Sequence, residues 1–132
     1  MAGQERIFKH LEFIQTTISR KAQNSFTYKG WAITLITAVL ALSDKNKTCY
    51  LAAILPLLGF WALDTYSLRQ ERLFRKLYDD VRSKQDTDFS MNTSIFNHVV
   101  PSFFRTLFST VTIGLYIPIL LLVIAIYFLK AA

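Results

Sequence analysis

Residues 107–129 read LFSTVTIGLYIPILLLVIAIYFL, 23 residues without an Asp, Glu, Lys, Arg or His. A bilayer core of about 30 Å is crossed by a helix of about 20 residues rising 1.5 Å each. A buried helix in a chain this short rarely stays apolar on every face for that distance. The segment therefore predicts a membrane span, assigned to 103–129 with Lys130 at its edge. The composition agrees. Hydrophobic residues make up 52% of the 132, with 11 Phe, 6 Tyr and 2 Trp, and charged residues only 18%, below the quarter or so usual in soluble domains. The length is that of one domain.

Working outward, two further segments reach span length less cleanly. Gly30 to Ser43 is uncharged for 14 residues, and becomes a span over 24–43 if Lys29 snorkels toward the headgroups. Cys49 to Leu63 is uncharged for 15 residues and is followed by Asp64. With Asp64 near the interface, flanked by Trp61 and Tyr66, it predicts a span over 48–68. Only DKNK (44–47) and a few neighbours separate the two, so they should form a tight antiparallel hairpin. The lone Cys49 excludes an intrachain disulfide and reads as a small packing residue inside the second span. The N-terminal segment does not read as a signal peptide, because its apolar stretch starts only at Trp31, behind Glu5 and Glu12.

The 15 basic residues sort unevenly. Arg6, Lys9, Arg20, Lys21 and Lys29 precede the first span, and Arg69, Arg72, Arg75, Lys76, Arg82, Lys84 and Arg105 lie between the second and third. Only Lys45, Lys47 and Lys130 fall on the other side. The positive-inside rule then predicts a cytoplasmic N-terminus and an external C-terminus, in a multi-pass protein of the bacterial inner membrane. Within the cytoplasmic part, Ile7, Leu11, Ile14 and Ile18 recur every three or four positions, predicting an amphipathic helix over 4–22. Leu73, Leu77 and Val81 recur every four, and no Gly or Pro falls between Trp61 and Lys84. A helical extension over 69–84 should thus continue the second span and pack on the first helix. The segment 85–101, which contains DTDFSMNTS (86–94), is rich in turn and cap formers and reads as a loop. The fold class expected is an all-α membrane protein of three transmembrane helices plus cytoplasmic amphipathic helices.

Three constellations invite a chemical reading. Arg69, Arg72 and Lys76 share a helical face, with Arg75 and Arg82 a turn or two around. Such a stripe is either a solvated face attracted to anionic lipid or a site for a nucleotide or oligonucleotide. In the second case the guanidinium forks would meet phosphate and Tyr78, Phe74 or Tyr66 would stack on bases. Asp64 is the acid within an apolar reach, either paired with Lys29 or Arg69 or set at a pore or gate. Pro56 and Pro118 allow kinks. Thr34, Thr37, Ser109, Thr110 and Thr112 either line a wet path or bond their own helix, the more frequent case. His10 and His98 have no catalytic companion by spacing, Asp86 and Asp88 read as loop formers, and no phosphate-binding glycine loop exists. No enzyme and no cofactor is expected.

The segments KGWAIT (29–34), FWALD (60–64), LRQERLFRKLYDD (68–80) and DFSMNT (88–93) together resemble a widespread family of small bacterial membrane proteins. We associate it with the HalA channel subunits of Hailong anti-phage systems. The resemblance covers roughly residues 5–125. It implies a homo-oligomeric pore, expected as a tetramer, and a partner nucleotidyltransferase that makes short single-stranded deoxyadenylate oligomers. Those oligomers would hold the channel closed, and their loss during infection would open it. No individual ligand contact follows from the resemblance. The candidate ligand residues Arg69, Arg72, Arg75, Lys76, Tyr78 and Arg82 rest on charge and spacing, and Asp64, Lys29 and Pro118 are the candidates for gating. The rival readings are a membrane anchor that recruits a soluble partner through Leu73 and Leu77, and a bilayer-disrupting toxin.

Overall fold

The protein's computed structural model describes residues 1–43 and 46–132. The order of elements is α1 (Ala2–Leu42), α2 (Lys47–Ala52), α3 (Ile54–Arg82), a 3-10 turn (Ser94–Phe96), α4 (Phe103–Leu107) and α5 (Thr110–Ala131), with no strand among the described residues. Three stretches are long and apolar enough to cross a membrane: α1, the α2–α3 pair over Lys47–Arg82, and α5. The expected turn at 44–47 begins on Asp44 and Lys45, which lie outside the described residues.

Helix α3 is the central element. One side packs along α1, and the other faces α4, α5 and the 3-10 turn. Ile7, Ile14 and Ile18 of α1 are buried against Leu77 and Val81 of α3, with Leu11, Phe74, Tyr78 and Phe96 closing the edges. A second core joins all three long elements through Ala32, Ile36, Ala53, Leu57, Trp61, Tyr116 and Val123. The small Ala32 and Ala53 let backbones approach, and the aromatic pair fills the gap between α3 and α5. Trp61 stacks on Tyr116 with centroids 5.9 Å apart and an 11° interplanar angle.

Element boundaries differ from the sequence expectation in three places, each with a local cause. The helix over 4–22 and the span over 24–43 are one helix of 41 residues, because nothing between Ala22 and Asn24 breaks a helix. Span two is interrupted at Ala53, between α2 and α3. Pro56 lies four residues after Ala52, so its ring would clash with the Ala52 carbonyl. As third residue of α3, Pro56 lacks only an N–H that has no partner inside the helix anyway. Span three is interrupted at Phe108 and Ser109, with Ser109 extended (φ −71°, ψ 155°). There the Thr112 hydroxyl lies 2.9 Å from the Thr106 carbonyl and 2.8 Å from that of Leu107, and the Trp61 indole N–H donates to Leu107 at 3.1 Å. The broken helix end is thus satisfied by side chains instead of by the next turn. Trp61 is thus also a buried packing residue, and Cys49 is exposed rather than packed.

Candidate functional site

The enclosed carboxylate in the spans is Asp64, with no exposed surface. Lys29 Nζ of α1 lies 2.6 Å from its Oδ2, and the Ser25 hydroxyl donates to Oδ1. Lys29 also donates to Ser25 Oγ at 2.8 Å, so ammonium, hydroxyl and carboxylate close a ring between α1 and α3. No hydrogen bond of good geometry reaches Oδ2; the ammonium neutralises it as an ion pair. Ser25 and Lys29 lie one turn apart, which puts both on the α1 face that meets α3. One turn before Asp64, the Phe60 carbonyl accepts from the Tyr116 hydroxyl at 3.4 Å, bringing α5 to the same level. Asp64 and Lys29 are thus joined as the sequence reading allowed. Pro118 is exposed on α5, and neither of them makes a recorded contact with it.

The six candidate ligand residues divide into two groups on α3. Arg75 and Tyr78 line a cleft of about 320 Å³ with Gln15, Ile18 and Asp79, and Tyr78 and Arg82 border its neighbour with Phe8 and Leu11. Arg75 is bound to Glu71 at 2.6 Å and Arg82 to Asp79 at 3.8 Å, so neither offers a wholly free charge. Around the helix, Arg69 donates to the Pro101 carbonyl at 3.2 Å and to Asn97 Oδ1 at 3.4 Å. It holds the segment before α4. Arg72 and Lys76 have no ion-pair or hydrogen-bond partner among the described residues.

Sequence reasoning missed a third cluster, where the segment after α3 is clamped to the start of α1. His10 is buried. Its Nε2 lies 3.1 Å from the Ser90 carbonyl and its Nδ1 2.6 Å from Thr87 Oγ1. A carbonyl only accepts, so Nε2–H donates to Ser90, while Nδ1 meets the Thr87 hydroxyl. Phe89 adopts a positive φ of 58°, unfavourable for a bulky residue. Its ring lies against His10 and under the Arg6 guanidinium, 5.6 Å from its centre. Arg6 in turn meets Asp86 at 3.1 Å and donates to the Thr87 carbonyl at 2.8 Å. The Ser90 N–H, and more weakly the charge of Lys84, hold the Asp88 carboxyl below its ordinary range. The Asp80 carboxylate, hydrogen-bonded to Lys84, raises that ammonium. The only signal in the sequence was the turn-forming character of 86–94; the partner, some 80 residues earlier, carried none.

Helices long and apolar enough to cross a membrane three times, two of them joined by a buried ion pair, define a membrane protein by length and composition. No protein-family model, curated protein or solved structure matches the chain.

Proposed function

We propose that this chain is one subunit of a homo-oligomeric, ligand-controlled ion channel in the bacterial inner membrane, an effector of anti-phage defence. In this reading the N-terminus is cytoplasmic and the C-terminus external. Four copies surround the path, and an anionic ligand, a nucleotide or short single-stranded deoxyadenylate made by a partner nucleotidyltransferase, holds it closed. The observation that carries the reading is continuity. Helices α1 and α3 bear the cationic groups at one end; α1 runs unbroken into membrane-spanning length and α3 reaches it together with α2 across the break at Ala53, with the buried Lys29–Asp64 pair where the two regimes meet. The three spans of one chain pack on a core of Ala, Ile, Leu, Val and aromatic side chains, which leaves conduction to the space between copies. A ligand bridging Arg72 and Lys76 of neighbouring copies would stabilise the closed arrangement by its greater affinity for that state. The anchor reading has less support, because Leu73 and Leu77 are buried within the chain.

Planar-bilayer recording from the reconstituted protein, with and without short deoxyadenylate oligomers, tests the proposal. Discrete currents suppressed by the oligomer support it. Silence in both conditions, from protein verified as folded and inserted, removes the channel.

A further inference from the structure

Helix α1 runs the length of the molecule with one face against α3 and the opposite face uncovered. At about 100° per residue, the buried Ser25, Ala32 and Ile36 share one side. Gln23, Thr27, Gly30, Thr34, Thr37 and Ala41, all exposed, fall on the side diametrically across. Their steps alternate four and three, a repeat of 3.5 that keeps a face aligned when copies of a helix wind about a common axis.

This face is polar where the other exposed span surfaces are not. Leu55, Leu58 and Leu63 face outward on α3, and Leu121, Leu122 and Phe128 on α5, surfaces that suit lipid. On α1, the Thr27 and Thr34 hydroxyls donate to carbonyls of their own helix, at 2.9 Å each, which leaves their oxygens free to accept. Neither the Gln23 amide nor the Thr37 hydroxyl has a partner among the described residues. A groove of about 330 Å³ follows the inner half, bordered by Gln23, Phe26, Thr27, Gly30, Trp31 and Thr34. A Cβ added at Gly30 would meet nothing within 4 Å. Polar groups without partners are costly against hydrocarbon. Within the span over 24–43 the Thr37 hydroxyl is such a group, and a wet or polar cover would satisfy it.

We infer that this face of α1 lines a water-filled path, enclosed by the same face of further copies of the chain around a symmetry axis. The inference rests on the channel reading and adds to it which of the three spans faces the ions. Thr112, near the start of α5, is excluded from the lining: it is buried and spends its hydroxyl on the end of α4.

Cysteine accessibility tests it. In a Cys49→Ser background, cysteines replace Thr27, Thr34 or Thr37 on the face, and Leu58 or Leu121 as controls, in reconstituted protein exposed to a charged, membrane-impermeant methanethiosulfonate. Because only a thiolate reacts and it forms where water reaches the sulfur, the face should be modified about tenfold faster than the controls or more, with loss of current on modification. Equal rates in both sets overturn the inference. So do inert face thiols that cross-link between copies on oxidation, which would make the face a dry contact. If one threonine variant fails to fold, Ala41→Cys reports the same face. Currents with inert face thiols would leave the channel standing and remove α1 from its lining. Selective modification without current would leave the wet face standing and remove the channel.

Discussion

A carboxylate without water must find its counter-charge in the protein, and Asp64 finds it in Lys29. Removing one partner of a buried pair leaves the other charge stranded, which costs about 3–5 kcal/mol. Lys29→Met should lower thermal stability in detergent by that order. Asp64→Asn with Lys29→Met should restore much of it, and a double-mutant cycle that shows simple additivity would deny the coupling. Both residues were legible in the sequence, since ionisable groups in apolar surroundings stand out. Choosing Lys29 over Arg69 required knowing how α3 is rotated, because Arg69 is turned to Pro101 and Asn97. His10 was illegible for the opposite reason: its polar partners come from a segment whose return to α1 no local pattern encodes. Replacing His10 by Phe removes its bonds to Thr87 Oγ1 and the Ser90 carbonyl, a loss of about 1–3 kcal/mol. Limited trypsin digestion should then cut faster at Lys84. The lowered Asp88 gives this clamp an acid limit. A carboxyl whose folded value is depressed stabilises above its unfolded value, and that contribution is lost as the pH falls through the folded one. The protection of the Ser90 amide relative to its intrinsic exchange rate should hold at neutral pH and fall once the pH drops below the ordinary carboxylate range.

At the scale of elements, the periodic parts of the chain were readable and its breaks were not. Leu73, Leu77 and Val81 announced a buried stripe on α3, and all three are buried. Leu77→Ala should cost about 2–5 kcal/mol, measured by chemical unfolding in detergent. The interruptions at Ala53 and Ser109 lie inside apolar runs, where composition is the same on either side of the break. What ends the helix there is a proline ring four residues on in one case, and a threonine hydroxyl competing with the backbone in the other. Thr112→Val keeps the shape and removes the hydroxyl. The Thr106 carbonyl then loses its side-chain donor, and stability should fall by about 1–3 kcal/mol. An unchanged unfolding midpoint would mean that the break is held by Trp61 alone.

For the whole molecule, the distribution of lysine and arginine and the proposed insertion can be checked with the protein's own cysteine. Cys49 is exposed on α2, at the end of the spans opposite the Asp64 ring. With a cytoplasmic N-terminus, an impermeant maleimide should label Cys49 in intact bacterial cells once the outer membrane is made permeable. Labelling only after rupture of the inner membrane would invert the topology. The unbroken α1 carries a further consequence. Its 41 residues make a rod of about 60 Å at 1.5 Å per residue, without a proline along its length. A shaft without a joint does not absorb a turn applied at one end; it delivers the torque to the other. Any twist of Ile7 and Ile14 against Leu77 and Val81 must reappear at Thr34 and Thr37. If the channel proposal holds, introducing a joint by replacing Ala22 and Gln23 with glycine should separate two properties: the proposed anion would still bind at the basic end, and the far end would no longer respond.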